Sequence, residues 1–469
     1  MNMEPRASDS AISPSSPSFR VRYERLAIGA RWHMRSLAVV FVDLLWRRLP
    51  PFLPPPLARS RSRDSYYTMA LVPKVERRVH RFSSESMDFS ALANEMLADP
   101  GYRDSAERDW ARNQKAIAAA GYMLRPRYHE DRTFSGRRWK LPRSWFEDWQ
   151  THYVMSPIVI DATSMVDGKQ VMLKDLSEAS EAEEIEITQL FSSEEHRRNP
   201  KNHCIPVIEV TRLEDISKTV LVVPRMRPYN NPRFRTFGEV VAFATQIIEG
   251  LEFMHALHIA HRDCTGQNIV LDPSGMYPNS FHPVKMNRSK NFLWFAKSYT
   301  RTQRPPRYFL IDFGLSRYYD PARGAPLDHA IRGGDKSVPE FRGYPDCPPH
   351  NPFQTDIYYL GNLLRTDFIQ KYVGFEWLEA LVGDMCHEDP SMRPPIGVVA
   401  SQFAEVSSTL TTWKLRSRLV GRKDSFIFGP YRWIRHVYRT TGYILTRTPA
   451  VPMPRDDGQP RDHNTSKVE

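Results

Sequence analysis

The chain has 469 residues, a net charge of +11, 41% hydrophobic residues and 38 prolines. That length exceeds one ordinary core, and the apolar content excludes a chain disordered throughout. Four scattered cysteines (Cys204, Cys264, Cys347, Cys386) form no CxxC pair. This excludes a disulfide scaffold and a cysteine-rich zinc site, and reads as reduced intracellular thiols. The positive charge suits an anionic membrane, a nucleic acid or an acidic partner, or else a solvated basic surface. No zinc-finger spacing, RNA-binding signature or regular repeat accompanies it, so no specific nucleic-acid motif is read.

Residues 1–68 are rich in Pro, Ser and Arg and read as a disordered tail. Within them, 37-LAVVFVDLLW-46 is apolar but interrupted by Asp43, and it falls well short of the roughly twenty residues that span a bilayer. The expectation is no transmembrane span, no signal peptide and an intracellular location, cytoplasmic or nuclear. The Arg- and Ser-rich start loosely resembles a transit peptide, but Glu4, Asp9, Glu24 and Asp43 argue against import. Residues 69–149 read as a helical extension. There, 88-DFSALANEMLADP-100 and 106-AERDWARNQKAIAAAG-121 space their apolar positions helically and stop at Pro or Gly.

The next part, 150–226, is strand-rich: 157-PIVIDATSM-165, 170-QVMLKDL-176, 205-IPVIEVTRL-213 and 219-TVLVVPRM-226. Asp167-Gly168 between the first two predicts a hairpin. An acidic helix-like stretch, 177-SEASEAEEIEITQLFSSEEH-196, lies between the second and third. Residues 227–408 turn helical. In 237-FGEVVAFATQIIEGLEFMHALH-258, Val240, Phe243, Ile247, Leu251, Met254 and Leu257 predict one buried stripe. A strand-rich half followed by a helical half predicts two lobes with a cleft between them.

At the end of that helix stands 261-HRDCTGQNIVLD-272, and 307-RYFLIDFG-314 follows. A helix, a loop with Asp and Asn, a strand, and a second strand ending in Asp-Phe-Gly resemble a eukaryotic-type protein kinase over about residues 150–405. Through 198-RNPKNHCIPVIEV-210 and 333-GGDKSVPEF-341 the chain is closer still to fungal kinase-like proteins. The resemblance implies an α+β bilobal fold, a small β-rich lobe and a large helical one, with disordered N- and C-terminal tails. It also implies transfer of the ATP γ-phosphate, with Mg²⁺, to the hydroxyl of a protein substrate, serine or threonine in preference to tyrosine.

The roles implied are specific. Asp263 orients the attacking hydroxyl and accepts its proton, and Asn268 and Asp312 hold the metal. Lys174 pairs the nucleotide phosphates and is itself held by a helix glutamate. Glu186, framed by Ile185, Ile187 and Leu190, is the choice for that partner, with Glu184 as the fallback. Val223 lines the back of the nucleotide pocket, the carbonyl of Pro224 takes the adenine amine, and the N–H of Met226 faces the ring. Arg262 precedes the base and could order a phosphorylated segment carrying Ser316, Tyr318, Tyr319 and Ser337. Glu340 pairs with Arg393, and Asp356 holds the loop backbone, as structural supports.

Three features depart from the kinase pattern. No glycine lies between Gly136 and Gly168, where a phosphate-covering loop is expected near 150–160. Thr265 and Gln267 stand where the family carries a loop Lys or Arg, so the migrating phosphate lacks its usual local cation. A basic, aromatic insert, 273–306, separates the two metal-bearing segments, either to dock a partner or as a self-covering surface loop. The basic tail 409–469 reads either as a helix packed on the helical lobe or as a contact with an anionic membrane. A pseudokinase that binds nucleotide as a scaffold, and a protein that tethers membrane or RNA by its basic tails, are the alternative functions.

Overall fold

A computed structural model describes residues 103–129, 157–176, 182–213, 218–331, 335–424 and 429–454. The 37–46 run, the 88–100 helix and the expected 150–156 part of the phosphate loop lie outside the described residues. The fold is mixed α+β, with a five-stranded antiparallel sheet followed by helices.

The extension expected to be helical supplies α1 (Ser105–Arg112) and α2 (Gln114–Ala119), but also a strand, β1 (Tyr122–Leu124). Asp104 caps α1 by accepting from the Glu107 N–H. β1 pairs with β2 (Val159–Ser164), which pairs with β3 (Gln170–Asp175) across the expected Asp167-Gly168 turn, where Gly168 takes a φ of 68°. β4 (Glu209–Leu213) and β5 (Lys218–Pro224) complete the sheet in the order β1-β2-β3-β5-β4. The fourth strand is shorter than 205–213 because the backbone before it bonds elsewhere. Ile205 N–H donates to Leu310 O (3.0 Å) and Val207 N–H to Ser192 Oγ (2.9 Å).

Strand alternation gives the sheet two distinct faces. Val171, Leu173, Val220 and Val222 bury against Trp110, Ile117, Leu124 and Tyr128, so the extension covers one face with a core of its own. A bidentate ion pair between Arg127 and Glu107 (2.8 Å for each bond) is sealed beneath it. The opposite face carries Asp161, Met172 and Lys174, which register places side by side: Asp161 opposite Met172, and Met172 opposite Val223.

α3 (Ala182–Ser192) packs by Glu184, Ile187, Thr188 and Phe191, an i, i+3, i+4, i+7 face. Beyond the short β6 (Arg227–Pro228), α4 (Phe237–Ala256) is buried on nearly every side rather than along one stripe. Ala242, Ala244, Ile248 and Phe253 are buried like the predicted Val240, Phe243, Ile247, Leu251 and Met254, because other helices and strand Tyr308–Leu310 surround it, whereas the predicted Leu257 caps the helix end and is only partly buried. Its entry is fixed by Thr236, which accepts from the Glu239 N–H, while Glu239 accepts from the Arg235 N–H (2.7 Å). After it come β7 (Ile259–Ala260), β8 (Ile269–Leu271), β9 (Tyr308–Leu310) and β10 (Arg317–Tyr318). The helices α5 (Pro352–Leu364), α6 (Glu376–Met385), α7 (Ile396–Ser408), α8 (Thr412–Arg416) and α9 (Gly429–Leu445) follow. The expectation of a disordered C-terminal tail is corrected for its described residues: α8 and α9 are held by Arg416 on Thr448 O and by Arg432 on Asp424. Among the described residues no helix is long and apolar enough to cross a membrane.

Candidate functional site

Antiparallel pairing of β8 with β9 aligns Ile269 with Leu310. Asn268, just before one strand, therefore meets Ile311, just after the other, whose N–H donates to Asn268 O (3.0 Å). Asp312 is the next residue, so two side chains forty-four positions apart in sequence share one end of this sheet. The Asn268 amide donates to Asp263 O (2.8 Å) and Oδ2 (3.0 Å), which turns its own oxygen away from Asp263.

The loop carrying Asp263 is held from below. Asp356 on α5, fully buried, accepts from the N–H groups of His261 and Arg262 (2.7 Å each) and contacts His255 Nε2 (3.1 Å). Arg262 (φ 64°) and Asp312 (φ 66°) both adopt the left-handed region, uncommon outside glycine and a mark of conformations fixed by their surroundings. Phe313 packs between the rings of Phe191 on α3 (5.2 Å) and His261 (5.5 Å), so loop, helix and Asp-Phe-Gly segment share one apolar contact.

Lys174 reaches into this cluster from β3. Its Nζ lies 2.5 and 2.7 Å from the two Glu184 oxygens and 2.8 Å from Asp312 Oδ1. Burial disfavours the ammonium, but the Asp312 and Glu184 carboxylates outweigh it and raise the pKa to about 12, so the lysine is charged at neutral pH. The partner is Glu184, and the expectation of Glu186 is corrected. Ile187 and Phe191, not Ile185 and Leu190, define the packed face of α3. Glu184 lies on that face and Glu186 is turned to solvent.

Val223 and Pro224 end β5, and buried Met226 sits between β5 and β6, on the segment that joins sheet to helices. Between them Arg225 is unexpectedly buried. Its Nη1 lies 3.1 Å from Met172 Sδ, its Nη2 donates to Pro283 O, and its guanidinium faces the Phe281 ring. Burial first, then Arg125, lowers the Arg225 pKa to about 10, with Asp161 opposing. Arg125 binds Asp161 Oδ2 (2.8 Å) on the same sheet face. A sequence reading had no signal for this cluster, since Arg125, Asp161 and Arg225 belong to no shared motif.

The insert covers this edge. Tyr277 and Phe281 stack on Arg227 (4.3 Å to each ring centroid), Ser280 Oγ donates to Gln170 Oε1 (2.5 Å), and Lys290 reaches Gly168 O (3.0 Å). Tyr277, Phe281 and Phe292 are buried, whereas Leu293, Trp294 and Phe295 remain exposed.

Arg262 does not await a phosphate in this arrangement. It pairs with Asp328 (3.2 Å), which also meets Arg317 Nη1 (3.2 Å) and the Tyr319 hydroxyl (2.8 Å). Burial raises the Asp328 pKa, but the Tyr319 hydrogen bond and Arg262 prevail and hold it below the usual value. Of the four candidate acceptors, Ser316 is buried and Tyr319 half-buried, whereas Tyr318 and Ser337 are exposed. Glu340 and Arg393 form the expected pair (2.7 and 2.8 Å), with Thr355 Oγ1 also donating to Glu340 (2.9 Å).

Asp312 and Asn268 offer hard oxygen donors, one charged and one neutral. That set suits a Mg²⁺ whose remaining ligands are phosphate oxygens and water, and Lys174 stands beside it to receive anionic oxygens. The residues present therefore fit a nucleotide–magnesium complex. No protein-family model matches the chain, and no curated protein matches it.

Proposed function

We propose that the domain is a bilobal, protein-kinase-like phosphotransferase acting on a protein hydroxyl with ATP and Mg²⁺. The observation that carries the proposal is the convergence of four separate segments. Lys174 on β3 is clamped by Glu184 on α3 and Asp312 after β9, while Asn268 fixes Asp263 in the loop after β7. Phosphoryl transfer needs positioning and charge neutralisation more than covalent help, and this set supplies both. Lys174 is preorganised as a cation for phosphate oxygens. Asp263 is oriented by Asn268 and, through the loop backbone, by Asp356, as a hydroxyl base requires. The bound Mg²⁺ would neutralise charge on the migrating group.

A second reading, a nucleotide-binding scaffold with little turnover, is favoured by the sheet face beside Lys174. There Met172 and Arg225 fill space next to Val223, and Thr265 and Gln267 leave the loop without a cation. The test is radiolabel transfer from ATP to a protein mixture by the full chain. Transfer lost in Asp263→Asn and Lys174→Met supports the enzyme. Equal signal in wild type and variants refutes it. Thermal stabilisation by ATP with Mg²⁺ but no transfer selects the scaffold.

A further inference from the structure

Amphipathic helices on a globular surface normally turn their apolar face inward. In α9 the order is reversed. Arg432, His436, Arg439 and Tyr443, three or four apart, form the side turned toward the protein. Arg432 Nη1 binds Asp424 (2.9 Å) and the Tyr443 hydroxyl bonds Thr300 Oγ1 (2.8 Å). The opposite side is apolar and open: Trp433 is 61% exposed, Ile434 62%, Tyr438 81% and Leu445 78%, with Tyr431 and Val437 beside them.

This is not a helix waiting to pack on its own domain, because both ends are already fixed. At its start Arg432 holds Asp424. Beyond its end Thr448 O accepts from Arg416 (2.6 Å), Val451 packs on the core and Pro452 is buried. Ala450 O also approaches Gly238 so closely that a Cβ there would meet it at 1.9 Å.

Charge borders the open face. Around the helix, turning 100° per residue, Arg435 and Arg439 follow directly on Tyr431 and Tyr438. Arg235 lies against them and, among the described residues, its buried Nη1 meets no hydrogen-bond acceptor. Burial first, and then the neighbouring Arg235 and Arg435, lower the Arg439 pKa to about 10, with Tyr443 and Glu239 opposing. Between Trp413 and Pro454 the only acidic residue is Asp424.

We propose that α9 is a membrane-docking helix, its Tyr431–Leu445 apolar face entering the interface of an anionic phospholipid surface while the exposed Arg435 and the half-exposed Arg439 at its edge engage lipid phosphates. Trp and Tyr on the face suit the headgroup boundary, and the arginines at its edge complement anionic lipid. A protein groove would meet the same apolar face, but arginines along its border, in a stretch from Trp413 to Pro454 whose one acidic residue is Asp424, favour a surface of many phosphates.

The full chain is sedimented with phosphatidylcholine vesicles, with and without phosphatidylserine, beside an Ile434→Glu/Tyr438→Glu variant and an Arg435→Gln/Arg439→Gln variant. The expected result is binding to the anionic vesicles, weakened by salt, and reduced at least about tenfold in each variant with unchanged melting temperature. Absence of wild-type binding at low salt overturns the proposal, as does undiminished binding by the Ile434→Glu/Tyr438→Glu variant. A fall in that variant's melting temperature shows the face to be covered by the chain itself. A dimer that the same variant dissociates, seen by light scattering, assigns the face to a second copy. Either of these also overturns it.

Discussion

At the scale of single residues, the choice between two glutamates two positions apart decides which of them joins Asp312 at Lys174. Glu184→Gln removes one of the two carboxylates at Lys174 and is expected to lower transfer at least about tenfold. Glu186→Gln, on the solvent side of α3, is expected to leave it unchanged. A transfer assay with both variants checks this, and the reverse order would return the role to Glu186. Glu340 offers a second test. Burial raises its pKa, but the Arg393 hydrogen bonds prevail and hold it below the ordinary 4.5. The folded pKa being depressed, its contribution to stability is present above about pH 4.5 and lost as pH falls through the lowered value. Glu340→Gln should cost roughly 3–5 kcal/mol at neutral pH by leaving Arg393 uncompensated, and should flatten the acid limb of the stability curve. Chemical denaturation between neutral and acid pH measures both.

At the scale of elements, the stretch around Arg317, Tyr319 and Asp328 is held by internal charge. Asp328 draws Arg262, Arg317 and Tyr319 together, so the basic residue before the loop aspartate is held without any modification. Transfer is therefore expected to survive phosphatase treatment. Asp328→Ala, which leaves two arginines facing each other, should lower the rate about tenfold or more. Activity that vanished on dephosphorylation would show that Asp328 does not suffice. The insert acts similarly as a brace: its aromatics stack on Arg227 and its serine bonds Gln170, tying the sheet edge to strand β6.

At the scale of the molecule, the described residues from α8 to Pro454 are part of the fold rather than an appendage. After α9 the chain returns across the start of α4, where Gly238 admits Ala450 O. Gly238→Ala is expected to force that segment away and to cost about 1–3 kcal/mol, seen as a lower melting temperature. An unchanged melting temperature would mean that the return is not anchored there. At the opposite end of the chain, the extension gives the sheet its first strand and the cover for one face.

What the sequence determined by itself was local. The Asp167-Gly168 hairpin, the apolar α4 and the short strands around 269–271 and 308–310 were legible because period and turn chemistry depend on neighbours in the chain. Asp263, Asn268, Asp312, Lys174, Asp356 and the Glu340–Arg393 pair were legible as types at intervals, and the structure joins Asp263 with Asn268, Lys174 with Asp312, Asp356 with the loop backbone and Glu340 with Arg393. Tertiary structure decided the rest. Two glutamates on one helix have nearly the same sequence surroundings, and only the packing of Ile187 and Phe191 turns Glu184 toward the lysine. The Arg125–Asp161–Arg225 cluster, the hold of Asp328 on Arg262 and the outward apolar face of α9 arise between segments far apart in the chain. No periodicity reports such pairings, because burial and charge are properties of the space around a residue and not of its neighbours in sequence.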